Sequence, residues 1–286
     1  MRRLPRAFVP AALLSAVAQC NGAVVPRLSP DGECDYNAPF GSPEVVLGLR
    51  EIGTERSWGE HGAALSTDEL EIYYDKVNND PGVRYTASLY TARRSHRGAE
   101  WSTPERLTGV RVDWWARNPQ LSPDGLTLYF ARYPANAGPS RYYLLRRASK
   151  DAPFNSAPVA LPLVPDASRP FFSADGRSIY YNLPPAKDGT SAIVRREWDG
   201  TNWTGDAVEV LHDGTGPIVS PDELQIFSSN RWTSLAYASR RAVTEAFDQP
   251  RAVEEITGSP TWTSANGCRI YLVTTGTTVV VAQRGR

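Results

Sequence analysis

Apolar and polar residues alternate along this chain in short bursts, and one burst recurs five times. A serine, any residue, Asp or Asn, Gly or Glu, and two further residues lead into Ile or Leu followed by Tyr or Phe. The copies run from Ser66-Thr67-Asp68-Glu69 to Ile72-Tyr73, from Ser122-Pro123-Asp124-Gly125 to Leu128-Tyr129, and from Ser173-Ala174-Asp175-Gly176 to Ile179-Tyr180. Two more run from Ser220-Pro221-Asp222-Glu223 to Ile226-Phe227 and from Ser264-Ala265-Asn266-Gly267 to Ile270-Tyr271. The serines stand 56, 51, 47 and 44 residues apart, so the loops shorten while the unit persists. The phrase predicts a hairpin. Ser and Asp side chains bond their own backbone through the turn, Gly tolerates positive φ, and β-branched and aromatic residues suit the strand that follows. A repeat of this period marks an array of equal structural units.

Three more strands flank each turn. Four copies follow a proline-containing approach, Asn118-Pro119-Gln120-Leu121, Arg169-Pro170-Phe171-Phe172, Gly216-Pro217-Ile218-Val219 and Pro260-Thr261-Trp262-Thr263, which predicts a short inner strand. A third strand ends near an arginine in every repeat: Leu89 to Arg93, Tyr143 to Arg146, Ala192 to Arg195, Ala236 to Arg240 and Val279 to Arg284. The fourth opens on an aromatic, over Trp101 to Val110, Phe154 to Val164, Trp203 to Leu211 and Phe247 to Ile256. The last repeat ends before its fourth strand, and upstream of the first repeat the run Ala38 to Leu47 parallels Ala152 to Leu161. The prediction is an all-β, five-bladed β-propeller closed by an N-terminal strand that completes the last blade. Radial sheets need such a tie between first and last blade. A linear solenoid would instead need polar caps at both ends.

The Ser-Pro-Asp-Gly and Leu-Tyr-Phe phrase at 122–130 resembles the WD-like β-propeller repeat of the periplasmic TolB type, over residues 38–286. TolB is similar in being a propeller, with six blades and a further N-terminal domain against five repeats here. Repeats of this kind share fold far more than function.

Charge and composition narrow the partners. Lys plus Arg equals Asp plus Glu at 31 each, so no global field favours nucleic acid or an anionic membrane surface. Arg2, Arg3 and Arg6 precede the apolar run Phe8 to Ala18, and Ala16-Val17-Ala18 fits a small-x-small cleavage site. Residues 1–18 are thus read as a signal peptide, 19–37 as a linker and 38–286 as the propeller, with export to the periplasm, the outer membrane or the medium. Val17-Ala18-Gln19-Cys20 resembles a lipoprotein processing box, although Gln19 departs from the small residue usual there; a lipid on Cys20 would be the only tie to a membrane. With Cys20 set aside, Cys34 and Cys268 remain as an expected disulfide in an oxidising compartment. The other reading makes Cys268 a core residue, since Leu70, Leu126 and Leu224 hold the matching position.

The chemistry is sparser. The loops entering the inner strands would gather Glu60 and His61, Trp114, Trp115 and Arg117, Asp166 and Arg169, and His212 and Asp213 around the mouth of the channel. Aromatics beside Arg and Asp suit a peptide, a protein segment or a glycan, while packed rim tryptophans and solvated loops are the plain structural alternative. His61, His96 and His212 belong to no metal-ligand spacing, and no phosphate loop or nucleophile elbow appears, so neither metal nor cofactor is expected. The repeated Asp68, Asp124, Asp175 and Asp222 read as turn residues. The expectation is an exported, non-catalytic binding or scaffolding propeller. Its alternative is a carbohydrate-active enzyme using carboxylates such as Glu60, Asp166 and Asp213.

Overall fold

In the computed structural model every Ser-x-Asp/Asn phrase closes the same turn. The serine Oγ donates to the Asp or Asn Oδ1 at 2.5–2.7 Å in all five copies. That Oδ1 accepts the N–H two residues on, and the serine Oγ accepts the N–H five residues on. The fourth residue is left-handed each time, at φ 63° for Glu69, 73° for Gly125, 70° for Gly176, 56° for Glu223 and 69° for Gly267. Glycine is the unstrained choice there, and the two glutamates hold the position for what their side chains reach.

The structure describes residues 32–46, 62–78, 86–111, 114–133, 141–161, 168–187, 189–199, 203–230, 234–274 and 278–285. Each turn joins the first two strands of a four-stranded antiparallel sheet. After β1 (Glu44–Val45), blade 1 holds β2 (Ala63–Leu65), β3 (Glu71–Asn78), β4 (Thr86–Arg93) and β5 (Glu105–Arg106). Blade 2 holds β6 (Trp115–Leu121), β7 (Thr127–Tyr133), β8 (Arg141–Arg146) and β9 (Val159–Ala160). Blade 3 holds β10 (Ser168–Phe172), β11 (Ser178–Asn182), β12 (Ile193–Trp198) and β13 (Trp203–Leu211). Blade 4 holds β14 (Thr215–Val219), β15 (Gln225–Asn230), β16 (Ser234–Ser239) and β17 (Arg251–Thr257). Blade 5 holds β18 (Ser259–Thr263), β19 (Arg269–Val273) and β20 (Val279–Gln283), and its outer strand is β1, paired to β20 as Glu44 with Val281 and Val45 with Val280. The inner strands touch in a closed cycle, β2 to β6 to β10 to β14 to β18 and back to β2. The architecture is a five-bladed β-propeller closed by the N-terminal strand. The Cys34–Cys268 disulfide, with Cα atoms 5.6 Å apart and both residues fully buried, fastens the closing segment to β19.

Arginines and aromatics clasp the outer part of the blades. Arg94, Arg147, Arg240 and Arg284 follow the third strands and lie 4.2–4.7 Å from the rings of Trp101, Phe154, Phe247 and Phe40. Blade 3 puts Trp198 at that position, its ring tilted against that of Trp203 with centroids 4.4 Å apart. Phe40, supplied by the N-terminal segment, takes the place that Trp101, Phe154 and Phe247 take in their own blades. The clasp also corrects the predicted fourth strands: β5, β9 and β17 begin several residues after Trp101, Phe154 and Phe247, because each ring turns inward onto its arginine before the chain reaches the sheet. Only β13 starts on its aromatic, Trp203.

Proline bends the inner strands. Pro119, Pro170 and Pro217 have no N–H for the ladder. The register slips across them, between Arg117 and Gln120, Ser168 and Phe171, and Thr215 and Ile218. Blade 1 lacks the proline, and its Ala63–Leu65 pairs without a slip. The residues before the prolines are left-handed, Asn118 at φ 53°, Arg169 at 52° and Gly216 at 67°. Their amides find side chains: Asn118 N donates to Asp75 Oδ1 at 3.2 Å, Arg169 N to Tyr142 Oη at 2.5 Å and Gly216 N to Asn182 Oδ1 at 2.9 Å.

These networks make the ring acid-sensitive. Burial would raise the Glu71 carboxyl, but hydrogen bonds from Arg147, Tyr73 and Arg93 outweigh it and hold the group below its ordinary value. Asp68, Asp124 and Asp175 are also lowered; burial opposes the shift, and the turn serines and backbone amides overcome it. A folded-state pKa below the unfolded one contributes stability above the unfolded value that is lost as pH falls through the folded one. Urea midpoints should therefore hold steady down to about pH 5 and drop below about pH 4, the unfolded carboxylate range. A flat profile from pH 5 to pH 2 would contradict this.

Candidate functional site

Among the described residues, two cavities lie on the ring axis. The larger opens on the face of the Ser-x-Asp turns, has a volume of about 100 Å³ and draws its wall from all five blades. Its depth is apolar, with Leu65, Leu121, Phe172, Val219 and Trp262 from the ends of the inner strands. Its rim is the second residue of each turn phrase: Thr67, Pro123, Ala174, Pro221 and Ala265. Ser122 and Ser264 line it too, but their hydroxyls are engaged by Asp124 and the Thr127 amide, and by Asn266 and the Arg269 amide. The wall thus has few polar groups to offer a ligand.

Gln120 closes the bottom by reaching across the axis to donate to Thr261 O at 3.1 Å. Beyond it lies the second cavity, about 30 Å³, lined by Asn118, Arg169, Gly216 and Thr261 among others. That volume holds about two waters. A Cβ on Gly216 would fall 2.6 Å from Arg169 Nη1, so the Arg169 guanidinium lies flat on the inner strand of blade 4. Neither cavity has a carboxylate side chain among its described lining residues.

The residues picked out from sequence are dispersed. Glu60, His61 and Asp166 lie outside the described residues. Trp115 begins β6 instead of sitting in a loop, so it and Trp114 point to opposite sides of blade 2. Trp114 packs on Phe130 and Tyr143 toward blade 1 with Arg132 above it at 4.5 Å. Trp115 packs edge-on against Tyr133 toward blade 3, with Arg117 over it at 4.7 Å. Arg169 joins that second group through its amide, which donates to Tyr142 Oη at 2.5 Å. His212 and Asp213 are exposed between β13 and β14, with His212 Nδ1 3.1 Å from Glu209 Oε1. The tryptophans therefore form two separate packings at two blade seams.

No protein-family model matches the chain, and no curated protein matches it. Solved structures similar to it include TolB from Acinetobacter baumannii, with TM-score 0.45 and 16% identity over 90% of this chain and 59% of that one. A putative TolB from Agrobacterium tumefaciens has TM-score 0.47 and 17% identity, covering 82% of this chain and 78% of that one. A thermostable family-43 glycoside hydrolase has TM-score 0.49 and 15% identity, covering 80% and 91%. The likeness concerns fold alone, and the ring itself rests on the strand pairings of this chain. This chain spans 59% of the length of the Acinetobacter protein.

The sequence carried a signal for the funnel that the turn reading passed over. The second position of the phrase is Thr, Pro, Ala, Pro and Ala, uncharged in all five copies. A purely solvated turn would tolerate charge there.

Proposed function

We propose that this chain is an exported, non-catalytic binding or scaffolding propeller that receives an uncharged, apolar group of a protein or peptide partner in the funnel on the turn face. The observation that carries the reading is the funnel wall: apolar in depth, uncharged at the rim, with its serine hydroxyls already bonded within the turns. Burial of apolar surface is what such a wall rewards. The carbohydrate-active alternative calls for paired carboxylates at a pocket, and the funnel as described supplies apolar groups instead. Export is supported by the Cys34–Cys268 bond, since disulfides persist in oxidising compartments. The mature chain begins at Gln19, or at a lipidated Cys20, and the intact mass of the exported form separates these.

Ala174 and Ala265 are exposed on the rim and have ordinary backbone angles, so Glu is accommodated there without touching the core. Binding to a peptide array by the mature chain should fall at least tenfold in the Ala174→Glu, Ala265→Glu double variant. The unfolding free energy from urea titration should stay within about 0.5 kcal/mol of wild type, as for surface substitutions. Undiminished peptide binding, or binding to glycans alone, would overturn the reading.

A further inference from the structure

Among the described residues, four of the five buried arginines donate several hydrogen bonds and the fifth, Arg117, donates none. Arg147, Arg240, Arg269 and Arg284 are each between 5% and 8% exposed. Arg147 donates to Gly125 O, to both Glu71 oxygens and to Tyr73 Oη. Arg240 bonds Glu223 O, Glu245 O and Tyr180 Oη. Arg269 bonds Glu69 and Glu33, and Arg284 bonds Tyr36 O, Ala38 O and Gln225 Oε1. Arg117 is equally buried at 6%; its Nε lacks an acceptor, as Arg284 Nε does, but unlike Arg284 it has no acceptor at Nη1 or Nη2 either, and among the described residues its contact is the Trp115 ring.

A second orphan donor sits beside it. Trp115 Nε1 is sealed from solvent and also without an acceptor. The two side chains are two residues apart on β6, hence on one face of the sheet. Both point into the seam between blades 2 and 3, where Ala131, the register partner of Arg117, contributes only a methyl group. The neighbouring backbone at Arg169 is held there by Tyr142. A guanidinium held in a blade seam without a counter-charge is destabilising, and so is a buried indole N–H with no acceptor. Native proteins rarely leave such groups unmet unless an ion, water or ligand meets them.

We infer that the Trp115 indole N–H and the Arg117 guanidinium form a carboxylate-binding site in the seam between blades 2 and 3, apart from the axial funnel. A carboxylate matches it in three ways. It supplies two acceptors to two donor groups, it neutralises the guanidinium, and its plane suits both the bidentate geometry of arginine and a narrow seam. The ligand is a small organic acid or a carboxylate borne on a larger molecule; the site itself recognises only that group.

Acetate is the probe, with chloride at equal ionic strength and inorganic phosphate as controls. In ¹H–¹⁵N spectra of the mature chain, one of the eight tryptophan indole resonances should move saturably with acetate. That resonance should be absent from Trp115→Phe. Thermal unfolding gives the independent arm. Arg117→Met removes the unmatched charge and keeps the packing, so without acetate its Tm should equal or exceed that of wild type. Acetate should raise the wild-type Tm and leave that of the variant unchanged. Equal response to chloride, a preference for phosphate, or no movement of the Trp115 resonance would overturn the inference. So would a lower Tm of Arg117→Met without acetate, which would mean that the chain itself satisfies Arg117. None of these outcomes bears on the funnel, whose test reads peptide binding in rim variants.

Discussion

Replacing both Cys34 and Cys268 by alanine is expected to lower the thermal midpoint by about 10 °C. The bond joins residues 234 apart in sequence. Chain-entropy arguments put the stabilisation from so long a loop at about 5 kcal/mol, and removal of native disulfides commonly costs about 2–5 kcal/mol. At about 2–4 °C per kcal/mol for large domains, the stated shift follows. The location amplifies the effect. The closing strand β1 has only two residues, and the segments flanking it are held by a few backbone bonds, Asp35 N to Gly285 O and Gly41 N to Gln283 O before it and Val46 N to Val279 O after it. Tyr36 Oη also donates to Asn266 O at 2.7 Å. Without the covalent tie only non-covalent contacts keep the ring shut. Scanning wild type with and without reductant beside the double variant checks this. An unchanged midpoint in both comparisons would show that the non-covalent contacts suffice.

The second large effect is expected at Glu69. Its carboxylate, 1% exposed in the turn of blade 1, accepts from Arg269 Nη2 at 2.6 Å and from Tyr271 Oη at 2.6 Å, both in blade 5. It is therefore a tie across the seam where the ring closes. Glu69→Gly has two opposed consequences. It relieves a left-handed backbone at φ 63°, a gain of about 1 kcal/mol. It also strips the buried Arg269 and Tyr271 of their shared acceptor, a loss of about 3 kcal/mol or more. Glu33 continues to bond Arg269, which keeps the loss near the lower figure. The net destabilisation should be about 2 kcal/mol, and Glu69→Gln, which keeps the strain and removes the charge, should be worse. Urea unfolding of both variants checks the order. A more stable Glu69→Gly protein would mean that backbone strain outweighs the ion pair.

Much of the ring was legible from residues alone. The turn phrase combines side chains that bond only their own neighbours, Ser122 with Asp124 for example, so its conformation is local and reads directly from sequence. The missing fourth strand was equally legible, because Ala38 to Leu47 matches Ala152 to Leu161 by pattern. The arginines after the third strands and the aromatics ahead of the fourth were both visible, but their stacking was not. Arg94 finds Trp101, and Arg284 finds Phe40, only when the chain has folded back on itself.

The candidate site was the poorly legible part. Trp114 and Trp115 looked like one stacking surface, and strand alternation sends them to two different seams. Asp166, Glu60 and His61, offered with them, fall outside the described residues. The funnel draws one or two residues from each of five repeats that stand 44 to 56 positions apart, and no local pattern brings Leu65 to Phe172 or Trp262. The sequence by itself determined the repeated unit, the number of blades and the strand that closes them, because those follow from bonds within a few residues and from a count. Which side chains meet at the axis and which arginines find carboxylates across a seam were decided only by the tertiary structure, because such contacts depend on how neighbouring blades pack.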